Sequence, residues 1–141
     1  MIKLVEHDAT AYESIAEIER ESFSIAWGLK EYRDFNSHEF VQIYVNEDAG
    51  EINGFIIFSN VLGDVEIFRI AVRRENRGQG IGMKLMNVAM ENATSGISLE
   101  VRCGNTPAIK LYEKCGLERM GIRKNYYENG EDAYVYGRKI L

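Results

Sequence analysis

The apolar run Ile70-Ala71-Val72, a short polar loop, and then Arg77-Gly78-Gln79-Gly80-Ile81-Gly82 constrain this chain more than any other stretch. The run reads as the end of a β-strand. The glycines, at alternate positions, read as the opening of a helix. Glycine lets a backbone turn tightly and approach a ligand closely. A helix start presents N–H groups without intrahelical partners, together with partial positive charge. The combination predicts a phosphate site, here for a pyrophosphate.

The rest of the chain sets the frame for that loop. Its 141 residues suffice for one domain spanning 1–141 with a core that needs no staples. A hydrophobic content of 45% and a charged content of 28% match a globular chain. The formal charge of −5 argues against nucleic acid as a partner. Acidity of this size is ordinary, and it is also compatible with a basic substrate. Cys103 and Cys115 make neither a disulfide framework nor a metal site, and His7 and His38 are isolated. Residues 1–6 lack a signal-peptide pattern, and no apolar run is long enough to span a membrane. The expectation is a cytoplasmic protein with reduced thiols, no membrane partner and no metal.

Residues 2–6 predict a first strand. Tyr12, Ile15, Ile18, Ser22 and Phe23 recur at helical spacing and predict an amphipathic helix over 9–23. A second, short helix is expected over 29–36. The alternation over 41–45 is that of a strand. Turns are expected at Asp48-Ala49-Gly50 and at Asn53-Gly54, before a strand Phe55-Ile56-Ile57-Phe58 that is apolar on both faces. A further strand over 64–72 follows the Gly63-Asp64 turn. Ile81, Leu85, Val88 and Ala89 then share one helix face over 80–93. Residues 97–101 read as a strand. Ala108, Leu111, Tyr112 and Cys115 mark a helix over 106–115 closed by Gly116. Two final strands are expected over 117–127 and 132–140, around a turn near Asn129-Gly130. The order β-α-α-β-β-β-α-β-α-β-β describes a mixed α/β domain with a hairpin-rich first half and a central β-α-β unit.

A dinucleotide fold places its glycine loop after the first strand, with an acidic residue about 20 residues on. Here the loop follows the fourth strand, and the glycine spacing differs. A P-loop requires Gly-Lys-Ser/Thr after four spacers, which is absent. The arrangement instead resembles the GCN5-related N-acetyltransferases (GNAT), whose motif Gln/Arg-x-x-Gly-x-Gly/Ala opens the helix after the fourth strand. Arg77 through Gly82 fit it. The resemblance implies a GNAT fold of class α+β, a mixed and mostly antiparallel sheet of six or seven strands flanked by four helices. It also implies acetyl-CoA as co-substrate. Arg77, Gly78, Gln79, Gly80, Ile81 and Gly82 would hold its pyrophosphate. The backbone of Ile70, Ala71 and Val72 would pair with its pantetheine arm.

Leu99-Glu100-Val101-Arg102, Asn105, Ala108, Leu111-Tyr112-Glu113-Lys114-Cys115-Gly116-Leu117 and Arg123-Lys124-Asn125-Tyr126-Tyr127 narrow the resemblance to the RimI branch. That branch acetylates the N-terminal alanine of a small-subunit ribosomal protein, which implies a protein N-terminus as partner. The similarity is strongest over 65–138. Phe23-Ser24-Ile25-Ala26-Trp27 is similar to the branch's Phe-Pro-Trp loop without its proline. The chain departs from the pattern in two places. The segment between Gly82 and Leu99 is about one helical turn shorter than in the enterobacterial members. Arg69 stands where a small polar residue is usual, which places a charge by the acceptor pocket.

Acetyl transfer needs a neutral amine positioned at the thioester carbonyl and a stabilised leaving thiolate. An α-amine with pKa about 8 is neutral in about a tenth of molecules at pH 7, whereas a lysine amine, about 10.4, is neutral in fewer than about one in a thousand. Glu100 alternates with Leu99 and Val101 and points opposite to them. The resemblance makes it the general base. Read on its own, it is equally a solvated glutamate paired with Arg102. Glu66 on the fourth strand is a competing base. The resemblance makes Tyr112, twelve residues after Glu100, the general acid; on pattern alone it is a core aromatic. Asn105 matches the family residue that bonds the cofactor arm, and it also suits a helix N-cap. Trp27, Tyr126 and Tyr127 could wall the peptide site or belong to the core. Two further functions remain open from sequence: acetylation of a small amine, and a non-catalytic acyl-CoA-binding module.

Overall fold

The computed structural model describes residues 1–23 and 26–140. Ser24 and Ile25, the middle of the Phe23–Trp27 segment, lie outside the described residues. The strands are β1 Ile2–Leu4, β2 Val41–Asp48, β3 Glu51–Val61, β4 Asp64–Val72, β5 Gly96–Arg102, β6 Glu118–Arg123 and β7 Ala133–Lys139. The helices are α1 Ala9–Ser22, α2 Leu29–Asn36, α3 Ile81–Asn92 and α4 Thr106–Lys114, with a single 3-10 turn at Arg74–Asn76. The element order is the one the periodicities predict.

One seven-stranded sheet runs β1-β2-β3-β4-β5-β7-β6. Every pairing in it is antiparallel except β4 with β5, which α3 joins by a crossover. Central β3 explains its doubly apolar sequence. Phe55 and Ile57 face α1 and α2 and pack with Tyr12, Ile15, Ile18 and Tyr32. Ile56 and Phe58 face α3 and α4 and pack with Ile81, Leu85, Met86 and Tyr112. All four strand side chains are fully buried.

A β-bulge in β4 positions the site. Ile57 pairs with Arg69, but Phe58 pairs with Ile67, so Phe68 is an extra residue with no partner on β3. The extra residue reverses the parity of the strand. Val65 and Ile67 belong to the α3/α4 side, yet beyond the bulge it is Ile70 and Val72 that face that side, while Ala71 turns to α1 and α2. Pairing between β4 and β5 ends at the same point, with Ile67 opposite Leu99. Beyond it, Phe68–Val72 and Glu100–Arg102 run on without pairing to each other.

The structure corrects several expectations. Asn53-Gly54 is not a turn but lies inside β3. Asn53 is the additional residue of a second bulge, opposite the Asn46/Glu47 step, and its side-chain carbonyl accepts from Asn46 Nδ2 at 2.8 Å. Gly54 is there for close approach: a Cβ on it would lie 3.0 Å from Ile81 Cγ2 and 3.3 Å from the Ala71 carbonyl. The other expected turn, at Asp48-Ala49-Gly50, is present, with Ala49 and Gly50 both at positive φ. The strand expected over 117–127 stops at Arg123. Asn125 adopts a φ of 51° and donates its N–H to Asp132 Oδ1, which turns Tyr126 and Tyr127 out of the sheet and into a loop. Replacing Gly54 by valine should therefore destabilise the fold by about 1–3 kcal/mol through overpacking, despite valine's preference for strands. Urea unfolding would measure it, and an unchanged midpoint would refute the close-approach account.

Candidate active site

A cleft of about 790 Å³ opens where β4 and β5 part. Phe68, Arg69 and Ile70 form one wall and Glu100, Val101 and Arg102 the other. Phe23 and Trp27 close it from the α1–α2 side, Asn105, Ala108 and Tyr112 from α4, and Tyr126 and Tyr127 from the β6–β7 loop. A bulge that ends strand pairing thus creates the concavity, as bulges beside sites commonly do.

Glu100 and Tyr112 meet in this cleft. Leu99 and Val101 point into the α3/α4 core, so the alternation of β5 turns Glu100 the other way. Its partner is not Arg102: Arg123 Nε lies 3.4 Å from Glu100 Oε2, while Arg102 pairs with Glu131 at 3.2 Å. The Arg123 contact lacks hydrogen-bond geometry, and Oε2 is buried without a hydrogen-bond partner among the described residues. This oxygen has a guanidinium beside it but accepts no hydrogen bond from it, which leaves an acceptor position for a ligand. Glu66 is exposed on β4 at the edge of the same cleft.

Tyr112 has two surroundings. It is buried in the α3/α4 core, and it lines the cleft. Burial, reinforced by Tyr127 and Cys115, raises its hydroxyl well above the ordinary tyrosine range, so it keeps its proton at neutral pH. Two caps fix α4 around it. The Asn105 side chain accepts from the Ala108 N–H at 3.3 Å, the N-cap expected of it. At the other end Gly116, with φ 85°, donates to Glu113 O at 3.0 Å and Leu117 donates to Tyr112 O at 3.1 Å, a Schellman closure.

The glycine loop follows β4 and lies outside the lining of the cleft. Gly78 and Gly80 have φ of 80° and 82°, conformations that side chains resist, and a Cβ on either would meet open space. Gly80 is the N-cap of α3, and no side chain caps that helix. Its first N–H groups therefore remain available to an anion. Gly82 serves packing, since a Cβ there would lie 3.1 Å from Leu111 Cδ2 of α4. Arg77 ties the loop to its neighbours, donating from Nε to Val72 O at 3.0 Å and from Nη2 to Ser22 Oγ at 3.2 Å. Ile70, Ala71 and Val72 follow the bulge, on the edge of β4 that β5 leaves uncovered.

Sequence reasoning passed over two carboxylates. Glu131 pins the β6–β7 loop, accepting from Gly104 N–H at 3.2 Å and pairing with Arg102, whose guanidinium stands 3.9 Å over the Tyr127 ring. No local pattern announced it. Glu19 is fully buried on α1 among Tyr12, Ile15 and Ile18 and forms an ion pair with Arg69 at 3.2 Å. A charge on the apolar stripe of a helix was the available signal. Burial pushes its carboxyl upward, while the Tyr32 hydroxyl, the Trp27 N–H and Arg69 pull against that shift. Removing one partner of such a buried pair costs about 3–5 kcal/mol.

Among the described residues no group of three or more His, Cys, Asp or Glu side chains is placed to hold a metal, and no helix is long and apolar enough to cross a membrane.

Comparison with known proteins matches residues 12–117 to the Acetyltransferase (GNAT) family. A Bacillus subtilis (strain 168) protein provisionally named a ribosomal-protein-bS18-alanine N-acetyltransferase is 38% identical over 127 residues, covering 86% of this chain and 84% of that one. An N-alpha-acetyltransferase of Sulfurisphaera tokodaii is 34% identical over 125 residues, covering 76% and 70%. The crystal structure of the ribosomal-protein-S18-alanine N-acetyltransferase from Escherichia coli superposes with a TM-score of 0.86 at 28% identity, covering 99% of this chain and 94% of that one. With the sheet order, the parted strands and the uncapped glycine helix already described, these matches establish that the chain belongs to the GNAT family and is an N-acetyltransferase.

Proposed function

We propose that this chain transfers the acetyl group of acetyl-CoA directly to the α-amine of a protein N-terminus, with the N-terminal alanine of a small-subunit ribosomal protein as its acceptor. The observation that carries this reading is the placement of Glu100 and Tyr112 in one cleft, the former with one oxygen shielded from solvent beside Arg123. The relatives named as bS18-alanine N-acetyltransferases, in Bacillus subtilis and Escherichia coli, support the acceptor.

The residues present fit acetyl-CoA. Open space at Gly78 and Gly80 and the uncapped start of α3 suit a pyrophosphate, with Arg77, Gln79, Ile81 and Gly82 completing the loop. The uncovered edge of β4 at Ile70, Ala71 and Val72 suits an amide-bearing arm that hydrogen-bonds like a strand. Asn105, at the mouth of the gap, has an amide nitrogen that its capping role leaves unused, and this would bond the same arm.

Each proton has an assigned place. The acceptor enters as an ammonium, and Glu100 takes one proton from it, directly or through water, so that the nitrogen lone pair can attack the acyl carbon. The C–N bond forms, the C–S bond breaks, and Tyr112 delivers its proton to the departing sulfur; the second proton leaving the nitrogen passes through water to the Tyr112 phenolate, and Glu100 releases its own to solvent. The Tyr112 hydroxyl is protonated at neutral pH, as any tyrosine is; burial makes it a weaker acid in the free protein, so its transfer depends on the negative charge developing on the sulfur beside it. An α-amine, already partly neutral at pH 7, needs only a modest base.

The first test is mass-spectrometric acetylation of short peptides beginning with alanine, each paired with an N-terminally blocked version that contains lysine. Product on the free peptide alone is expected. Product on polyamines but on no peptide would overturn the acceptor and select a small-amine acetyltransferase. Glu100→Gln and Tyr112→Phe should each lower kcat by about 10²–10⁴-fold while calorimetric acetyl-CoA affinity stays near that of the parent. Full turnover in both variants would remove their roles, and a larger loss in Glu66→Gln than in Glu100→Gln would move the base to β4.

A further inference from the structure

Phe23 and Trp27 form the aromatic side of the cleft, yet both lie between α1 and α2, outside any helix or strand. A buried polar hub holds them there. The Glu19 carboxylate accepts from the Tyr32 hydroxyl of α2, from the Trp27 backbone N–H at 2.9 Å and from Arg69 Nη1 of β4 at 3.2 Å. The Arg69 guanidinium stands 4.1 Å from the centre of the Phe23 ring and 4.0 Å from that of Trp27. One side chain thus joins the sheet, the helix carboxylate and both wall rings. Only the Phe68 bulge makes this possible, because it turns Arg69 to the α1 side of β4.

The chemistry of arginine suits the position. Its planar cation stacks on aromatic faces and donates in its own plane at the same time, which an ammonium cannot do. Its neighbour in sequence is Ile70, so the wall is fastened to the segment that adjoins the acetyl donor.

We propose that Arg69 is a positioning residue for the acceptor: by clamping Phe23 and Trp27 against β4, it shapes the surface on which the first residues of the acceptor chain rest. It sets acceptor affinity without contributing to donor binding or proton transfer. The inference rests on the reading of the cleft as a peptide site.

Trp27 is the one tryptophan of the chain, so its fluorescence reports on the wall directly. Three variants test the proposal: Arg69→Gln, Arg69→Lys, and Arg69→Gln combined with Glu19→Gln, which leaves no unpaired buried charge. Folded Arg69→Gln and the double variant should show greater acrylamide quenching of Trp27. KM for an alanine-starting peptide should rise by about tenfold, with kcat and acetyl-CoA affinity within about twofold of the parent. Arg69→Lys should fall between them and the parent. Unchanged quenching and KM in the double variant would overturn the proposal. So would a parallel loss of kcat, peptide affinity and acetyl-CoA affinity, the mark of a merely structural residue. If the parent protein acetylates no peptide, the acceptor reading fails, while Trp27 quenching still decides whether Arg69 holds the wall.

Discussion

One inserted residue, Phe68, organises the functional half of this molecule. A strand's side chains alternate, so an extra residue sends every later side chain to the opposite face. In β4 that reversal brings Ile70 and Val72 over the α3/α4 core and turns Arg69 and Ala71 toward α1 and α2. It also coincides with the end of β4–β5 pairing. The sheet then presents a backbone edge to solvent in its middle, where an edge is normally covered. For the fold alone that is a loss of hydrogen bonds. It is also what leaves room for the cleft between the two strands.

The walls of the opening are held by polar contacts rather than by apolar packing alone. Arg102, Glu131 and Tyr127 tie down the β6–β7 loop on one side. Glu19, Arg69 and Tyr32 tie down the α1–α2 segment on the other. Both arrangements join a carboxylate, a guanidinium and an aromatic ring. Partly desolvated charge pairs of this kind are weak sources of net stability, because desolvation offsets the attraction. Their directional bonds nevertheless specify where a loop sits, which a cleft built from loops requires.

Much of the fold was legible in order and periodicity. The helix stripes, the glycine loop after the fourth strand and the two-faced apolar strand Phe55–Phe58 all translate directly into structure. Asn53-Gly54 misled because the same dipeptide serves a hairpin turn or a bulge with close helix contact, and only the position of Ile81 on α3 distinguishes them. Local sequence offers Arg102, its neighbour but one, as an ion-pair partner for Glu100, but register with a distant strand brings Arg123 instead. Asn105 and Tyr112 each carried two readings; the structure shows the N-cap of the one and the core packing of the other, and leaves each within reach of the cleft. A cap can leave an amide free, and a core ring can show its edge to a cleft.

By itself the sequence determined the element order, the buried faces and the glycine loop that opens α3. These depend on local stereochemistry: glycine's access to positive φ, the periods of helix and strand, and the preferences of caps. Tertiary structure decided where β4 and β5 part, which carboxylates are buried, and that Arg69 meets Glu19, Phe23 and Trp27. Those outcomes depend on strand register and on contacts across some fifty residues of chain, from Glu19 to Arg69. In β4 the apolar positions 65 and 67 give way to 68, 70 and 72, so alternation marks a break at Ile67-Phe68, but only the pairing with β3 says that the break is a bulge and which face each half takes.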